Sequence, residues 1–87
     1  MAIVARFEFP GEDIAKYDRV LEIEPRTKDQ PKRQCHVCYE LDGGGWGVLD
    51  VWDSEEALGE FARILGPAIE QAGLAGGPTV SRVHNTM

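Results

Sequence analysis

Three consecutive glycines, Gly43-Gly44-Gly45, follow Asp42 and separate two alternating, β-prone runs. The first is Gln34-Cys35-His36-Val37-Cys38-Tyr39-Glu40-Leu41 and the second Trp46-Gly47-Val48-Leu49-Asp50-Val51-Trp52. Glycine enters positive φ without steric penalty, so such a cluster between two strand-like runs predicts an antiparallel hairpin. The remaining segments must supply partners for its two strands. Residues 2–9 read as another strand, halted by Pro10-Gly11. Asp13 can cap a helix running to about residue 24, with Ile14, Tyr17 and Leu21 as its buried stripe, and Pro25 ends it. Residues 26–33 lack an apolar period and read as a loop. Asp53 or Ser54 caps a second helix whose first turn carries Glu55 and Glu56 and whose stripe is Leu58, Phe61, Leu65, Ile69 and Ala72. Gly66-Pro67 inside that stripe predicts a kink or break near Ile64, and Gly73 is a suitable C-terminal cap. Residues 79–85 read as the last strand.

The order strand, helix, strand, strand, helix, strand predicts an α+β, ferredoxin-like βαββαβ domain: a four-stranded antiparallel sheet with both helices on one face. Alternation assigns the helix-covered face to Ile3, Ala5, Phe7 and Phe9, to Cys35, Val37, Tyr39 and Leu41, and to Trp46, Val48, Asp50 and Trp52. The other face keeps Val4, Cys38, Leu49 and Val51 among a few charges. That is too apolar for open water, so a second copy of the sheet is expected to cover it, making a homodimer. Residues 1–87 are read as one domain. A chain this short buries only roughly 60–65% of its unfolded surface, and a partner subunit is one remedy.

Fifteen acidic against nine basic residues give a formal charge of −6. This argues against nucleic acid and against anionic membrane surfaces, both of which select basic faces. The one basic cluster, Arg26, Lys28, Lys32 and Arg33, is read as a solvated loop, with the steering of an anionic ligand as the lesser alternative. No apolar run is long enough to span a membrane, and no leader pattern opens the chain, so a cytoplasmic setting is expected. Cys35 and Cys38 sit three apart on a strand and therefore point to opposite faces, where they can neither bond nor share an ion. No histidine and carboxylate group has metal-ligand spacing, and Gly43-Gly44-Gly45 precedes no helix, so it is not a phosphate loop. His36, on the parity assigned to the outer face, is expected to join an interface network with Arg6, Glu8 and Glu40.

The segment Val48-Leu49-Asp50-Val51-Trp52-Asp53-Ser54-Glu55-Glu56-Ala57-Leu58 resembles the mark of the dimeric α/β-barrel superfamily, within it the antibiotic-biosynthesis-monooxygenase-like group. The order of elements matches over nearly the whole chain, while the specific likeness rests on these eleven residues. The resemblance implies two sheets packed face to face as a barrel, with a pocket between sheet and helices in each subunit. It also implies a choice among cofactor-free oxygenases, haem-degrading enzymes, isomerases, cyclising or decarboxylating enzymes and members without activity. Haem-degrading relatives carry a ligating histidine on the second helix beyond the Gly66-Pro67 position. Here the stretch is Ala68-Ile69-Glu70-Gln71-Ala72-Gly73, without histidine, and the oxygenase-like histidine of that region is missing too. No cofactor is expected.

The resulting expectation is a pocket for an apolar or aromatic small molecule. Asp50 would act as acid or base, Tyr39 as hydrogen-bond donor and Trp52 as stacking wall, with Phe7, Tyr17, Phe61 and Leu65 as further lining and His84 at the pocket mouth or on a frayed end. Trp46 and Trp52 could equally be core residues. The plain alternative makes Asp50 a structural contact, bonded to a backbone N–H or to Tyr17, and the protein a non-catalytic accessory or interaction module with a filled pocket. An enclosed cavity reaching Asp50 separates the two.

Overall fold

The hairpin forms where the glycines place it. In the computed structural model, which describes residues 1–87, Gly43, Gly44 and Gly45 take φ of 84°, 102° and 97°, and the turn closes through Leu41 N–H to Gly45 O and Gly44 N–H to Leu41 O. It joins β2 (Arg33–Glu40) to β3 (Gly45–Trp52). The first strand β1 is Ile3–Pro10 and the last, β4, is Thr79–Arg82, shorter than the run of residues 79–85 expected from sequence. The sheet is antiparallel throughout, in the order β2-β3-β1-β4. Helices α1 (Ala15–Ile23) and α2 (Glu55–Gln71) both pack on one face of it, which is the ferredoxin-like layout.

Each helix is defined by local chemistry. Asp13 accepts the Ala15 N–H at 2.8 Å just before α1, whose inward side is Tyr17, Val20 and Leu21; Ile14 lies outside the helix and is exposed. Pro25 opens a short 3-10 helix, Pro25–Lys28, in the stretch expected to be a plain loop. Ser54 caps α2 by accepting the Ala57 N–H at 3.1 Å. Contrary to the expected break, α2 runs unbroken through Pro67. Both Pro67 and Arg63, whose carbonyl loses its donor, are exposed, so water can satisfy that carbonyl. Gly73, at φ 77°, ends the helix in a Schellman turn, with Gly73 N–H to Glu70 O and Leu74 N–H to Ile69 O, and the turn tucks Leu74 into the core.

The faces of β1 and β3 follow the alternation, with Ile3, Ala5, Phe7, Phe9, Trp46, Val48, Asp50 and Trp52 all buried beneath the helices. In β2 the expectation is overturned. His36 pairs with Asp50 and Cys38 with Val48, so His36 and Cys38 face the helices, while Cys35, Val37 and Tyr39 lie opposite Val51, Leu49 and Gly47 on the other face. The cause is a bulge: the register shifts between Arg33, opposite Trp52, and Cys35, opposite Val51, leaving Gln34 without a partner. Cys35 and Cys38 do lie on opposite faces, both as free thiols. No helix is long and apolar enough to cross a membrane.

Gly45 makes the hairpin testable. A Cβ there would overlap Phe9 O, Gly11 N and Pro10 Cα, whereas one on Gly43 would meet nothing within 4 Å. Both alanine substitutions carry the positive-φ penalty of about 1–2 kcal/mol, and only Gly45→Ala adds a clash with β1. Urea denaturation is expected to show Gly45→Ala losing clearly more stability than Gly43→Ala.

Candidate functional site

Between the sheet and the two helices lies a cavity of about 50 Å³. Its walls are mostly apolar: Phe7 and Phe9 from β1, Trp46 and Val48 from β3, Val20 and Leu21 from α1, Phe61, Leu65 and Ile69 from α2, and Leu74 after it. Five groups bring polarity to it, namely Tyr17, Thr27, Arg33, His36 and Asp50. A volume of this size has room for a few waters.

Asp50 is held on β3, an interior strand of the sheet, with only 1% of its surface exposed. A carboxylate so placed needs a partner, and the cross-strand pairing supplies His36, whose Nδ1 lies 2.5 Å from Asp50 Oδ1. On its other side His36 Nε2 lies 2.7 Å from the Tyr17 hydroxyl of α1, with the two rings nearly parallel. An ionised Asp50 can only accept, which places the imidazole proton on Nδ1 and leaves Nε2 to accept from the Tyr17 O–H. Burial pushes the Tyr17 phenol above its ordinary value of 10.0; Cys38, Asp50 and Asp18 push the same way, and the Arg33 cation opposes them. Tyr17 therefore stays a neutral donor through the neutral range. Burial likewise raises the Cys38 thiol. Carboxylate, imidazole and phenol form a continuous chain of hydrogen bonds from the middle of the sheet to α1. His36 and Asp50 have no third His, Cys, Asp or Glu beside them to complete a metal site.

Arg33 enters from the edge of β2. Its Nη2 donates to the carbonyls of Thr27 at 3.0 Å and Lys28 at 3.3 Å, and its guanidinium carbon stands 5.6 Å from the ring centres of both Trp52 and Phe61. Trp46 is fixed by Nε1 donating to Asp13 O at 3.1 Å, with its ring against Phe9 and Tyr17.

Of the residues expected from sequence, Asp50, Phe7, Tyr17, Phe61 and Leu65 are brought together at the cavity. Tyr39 is not: its ring lies over Gly47 on the far face of the sheet, where a Cβ on Gly47 would come within 2.8 Å of it. Trp52 packs against Phe61 in the core, outside the cavity lining, and its Nε1 is buried without a partner. His84 is exposed beyond the end of β4 and does not line the cavity. Three polar residues of the cavity were not expected there from sequence: His36, assigned to a subunit interface, Arg33, read as part of a solvated loop, and Thr27. One signal was available. Asp50 on a core-facing strand required a buried partner, and the adjacent strand offered one histidine.

The sequence matches no protein-family model and no curated protein sequence. Solved structures do match over 99% of the chain. A candidate antibiotic biosynthesis monooxygenase from Caulobacter crescentus is 19% identical, with a TM-score of 0.63 and 89% of its own chain covered. Rv0793 from Mycobacterium tuberculosis is 20% identical, with a TM-score of 0.63 and 94% coverage. SnoaB from Streptomyces nogalater, described as a cofactor-independent oxygenase and solved as a point mutant, is 17% identical, with a TM-score of 0.61 and 94% coverage. At these identities the likeness is one of fold: the chain shares the ferredoxin-like fold of these three structures.

Proposed function

We propose that the protein is a small homodimeric enzyme that binds a flat apolar or aromatic molecule between sheet and helices and moves a proton on it without a cofactor. The observation that carries this reading is the Tyr17–His36–Asp50 chain set into an otherwise apolar cavity. Asp50 orients the imidazole and stabilises its charged form, as a carboxylate does for the histidine of a hydrolase triad. His36 Nε2 is then the base, and Tyr17, once its bond to Nε2 is exchanged for one to the ligand, is a donor to a carbonyl or enol oxygen. Proton abstraction beside a carbonyl is the step shared by cofactor-free oxygenation, isomerisation and cyclisation, and the described activity of SnoaB belongs to the first of these. The reading carries with it a single dimeric α/β-barrel domain over residues 1–87 and the cytoplasmic setting expected from the sequence.

A second reading, a non-catalytic module with a self-filled pocket, draws on the small cavity. Ligand sites usually span about 300–1,000 Å³, so occupation here requires half-buried lining residues such as Leu21 and Leu65 to yield. The dimer is supported by the far face of the sheet. Val37 is 46% exposed there, beside half-buried Val4, Leu49, Val51 and Tyr39.

Proton transfer is tested with 2-tetralone, an aromatic ketone with acidic C–H bonds, by following solvent deuterium uptake by NMR. The protein is expected to accelerate uptake, and His36→Gln to reduce the acceleration about a hundredfold; equal rates with and without wild-type protein would remove the enzymatic reading. For Tyr17 the sign is set by its raised value. The folded state holds the phenolic proton more tightly than the unfolded chain. Its stabilising contribution is thus complete below the ordinary value of 10.0 and is lost as pH rises through the folded value. Denaturation in alkaline buffers is expected to show this loss, and Tyr17→Phe to reduce it, leaving the part contributed by the raised Cys38 thiol. Sedimentation at micromolar concentration is expected to give a dimer, and Val37→Glu with Leu49→Glu a folded monomer. A wild-type monomer would overturn the assembly.

A further inference from the structure

One charged group in the cavity is left over by the proton chain. Arg33 Nη1 is fully buried and has no hydrogen-bond partner, while Nη2 is already committed to the Thr27 and Lys28 carbonyls. No acidic side chain pairs with Arg33: the carboxylates in ion pairs are Glu12, Glu22, Glu24, Glu60 and Asp50, and these take Lys16, Arg19, Arg26, Lys32 and His36. A buried guanidinium nitrogen without an acceptor costs free energy, and folded proteins leave few such groups. Here the cost is sustained by construction. The bulge at Gln34 turns Arg33 onto the helix-covered face, Gln34 is tied down by its own bond to Asp53 at 2.8 Å, and the guanidinium lies against the adjacent Trp52 and Phe61 rings, 5.6 Å from each ring centre. The cation is thereby fixed in the same cavity as His36 and Tyr17.

We infer that Arg33 is the anchor for an anionic oxygen of the ligand, so that the molecule taken by this pocket is an aromatic acid: a carboxylate, or a phenol or enol bound as its anion. The inference rests on the pocket reading above and narrows it from any flat apolar molecule to one carrying a negative oxygen. A charged N–H in a low-dielectric site, here that of Nη1 alone, binds such an oxygen more strongly than it would in water. In proton abstraction it also stabilises the enolate oxygen that forms as His36 takes the proton, a contribution made at the transition state. The formal charge of −6 repels anions in general, so a preference for them would arise locally.

The test is calorimetric titration of the intact protein with three ring compounds: benzoate, 4-nitrophenolate and the neutral benzyl alcohol. The wild type is expected to bind at least one anion tenfold or more tighter than benzyl alcohol, and the anion preferred names the oxygen class. Arg33→Met is expected to bring both anions to the affinity of benzyl alcohol, whereas Arg63→Met, which removes an exposed charge, keeps the preference. A readout independent of any variant is the NMR signal of the Arg33 guanidinium protons, which should shift with the anion and not with benzyl alcohol. Three equal affinities in the wild type, or an Arg33 signal indifferent to the anions, would overturn the anchor and leave the pocket standing. Binding of none of the three would overturn the pocket reading and the anchor with it.

Discussion

The polar chemistry of this protein depends on one extra residue in an edge strand. Along a regular strand, residues three apart point to opposite faces, so Arg33 and His36 could not both enter the same cavity. The bulge at Gln34 absorbs one residue, and Arg33 returns to the face of Trp52 while His36 stays on that of Asp50. Remove the bulge from the scheme and the cavity retains either the cation or the imidazole. An edge strand accommodates such a defect because only one side of it is paired, and β2 has β3 as its sole neighbour.

From that point the site assembles through requirements of burial. Asp50 is nearly inaccessible, and a buried carboxylate must be bonded. His36 meets the requirement at one ring nitrogen and creates another at its second, which Tyr17 meets from α1. The same chain that could move a proton also fastens α1 to the sheet, helped by the Trp46 indole bonded to Asp13 at the start of that helix. Structure and candidate chemistry share these contacts.

Much of the fold was legible because its signals are local. The glycines of the hairpin, Ser54 at the start of α2, Gly73 at its end and the alternation of β1 and β3 each act within a few residues. Where local rules gave the wrong result, a longer-range circumstance prevailed. Pro67 did not break α2: it and Arg63, whose carbonyl it deprives of a donor, are exposed residues, where water can take the donor's place. In β2, Val37 and Tyr39 looked like core residues, yet their apolarity belongs to the far face of the sheet. Asp50, Phe7, Tyr17, Phe61 and Leu65 line the cavity because they sit on strands and helices whose phase was read correctly. Tyr39 was misplaced with the phase of β2, and His36 was missed for the same reason.

The sequence by itself determined the element order, the hairpin, the helix ends and a carboxylate on a core-facing strand, since each follows from the preferences of residues near one another in the chain. Only the tertiary structure decided which face of β2 looks inward. That choice weighs a buried ion pair between strands, a hydroxyl arriving from a helix and a bulge that no pattern of hydrophobicity announces. It is a choice among contacts distant in sequence, and Arg33 and His36 came into the cavity with it.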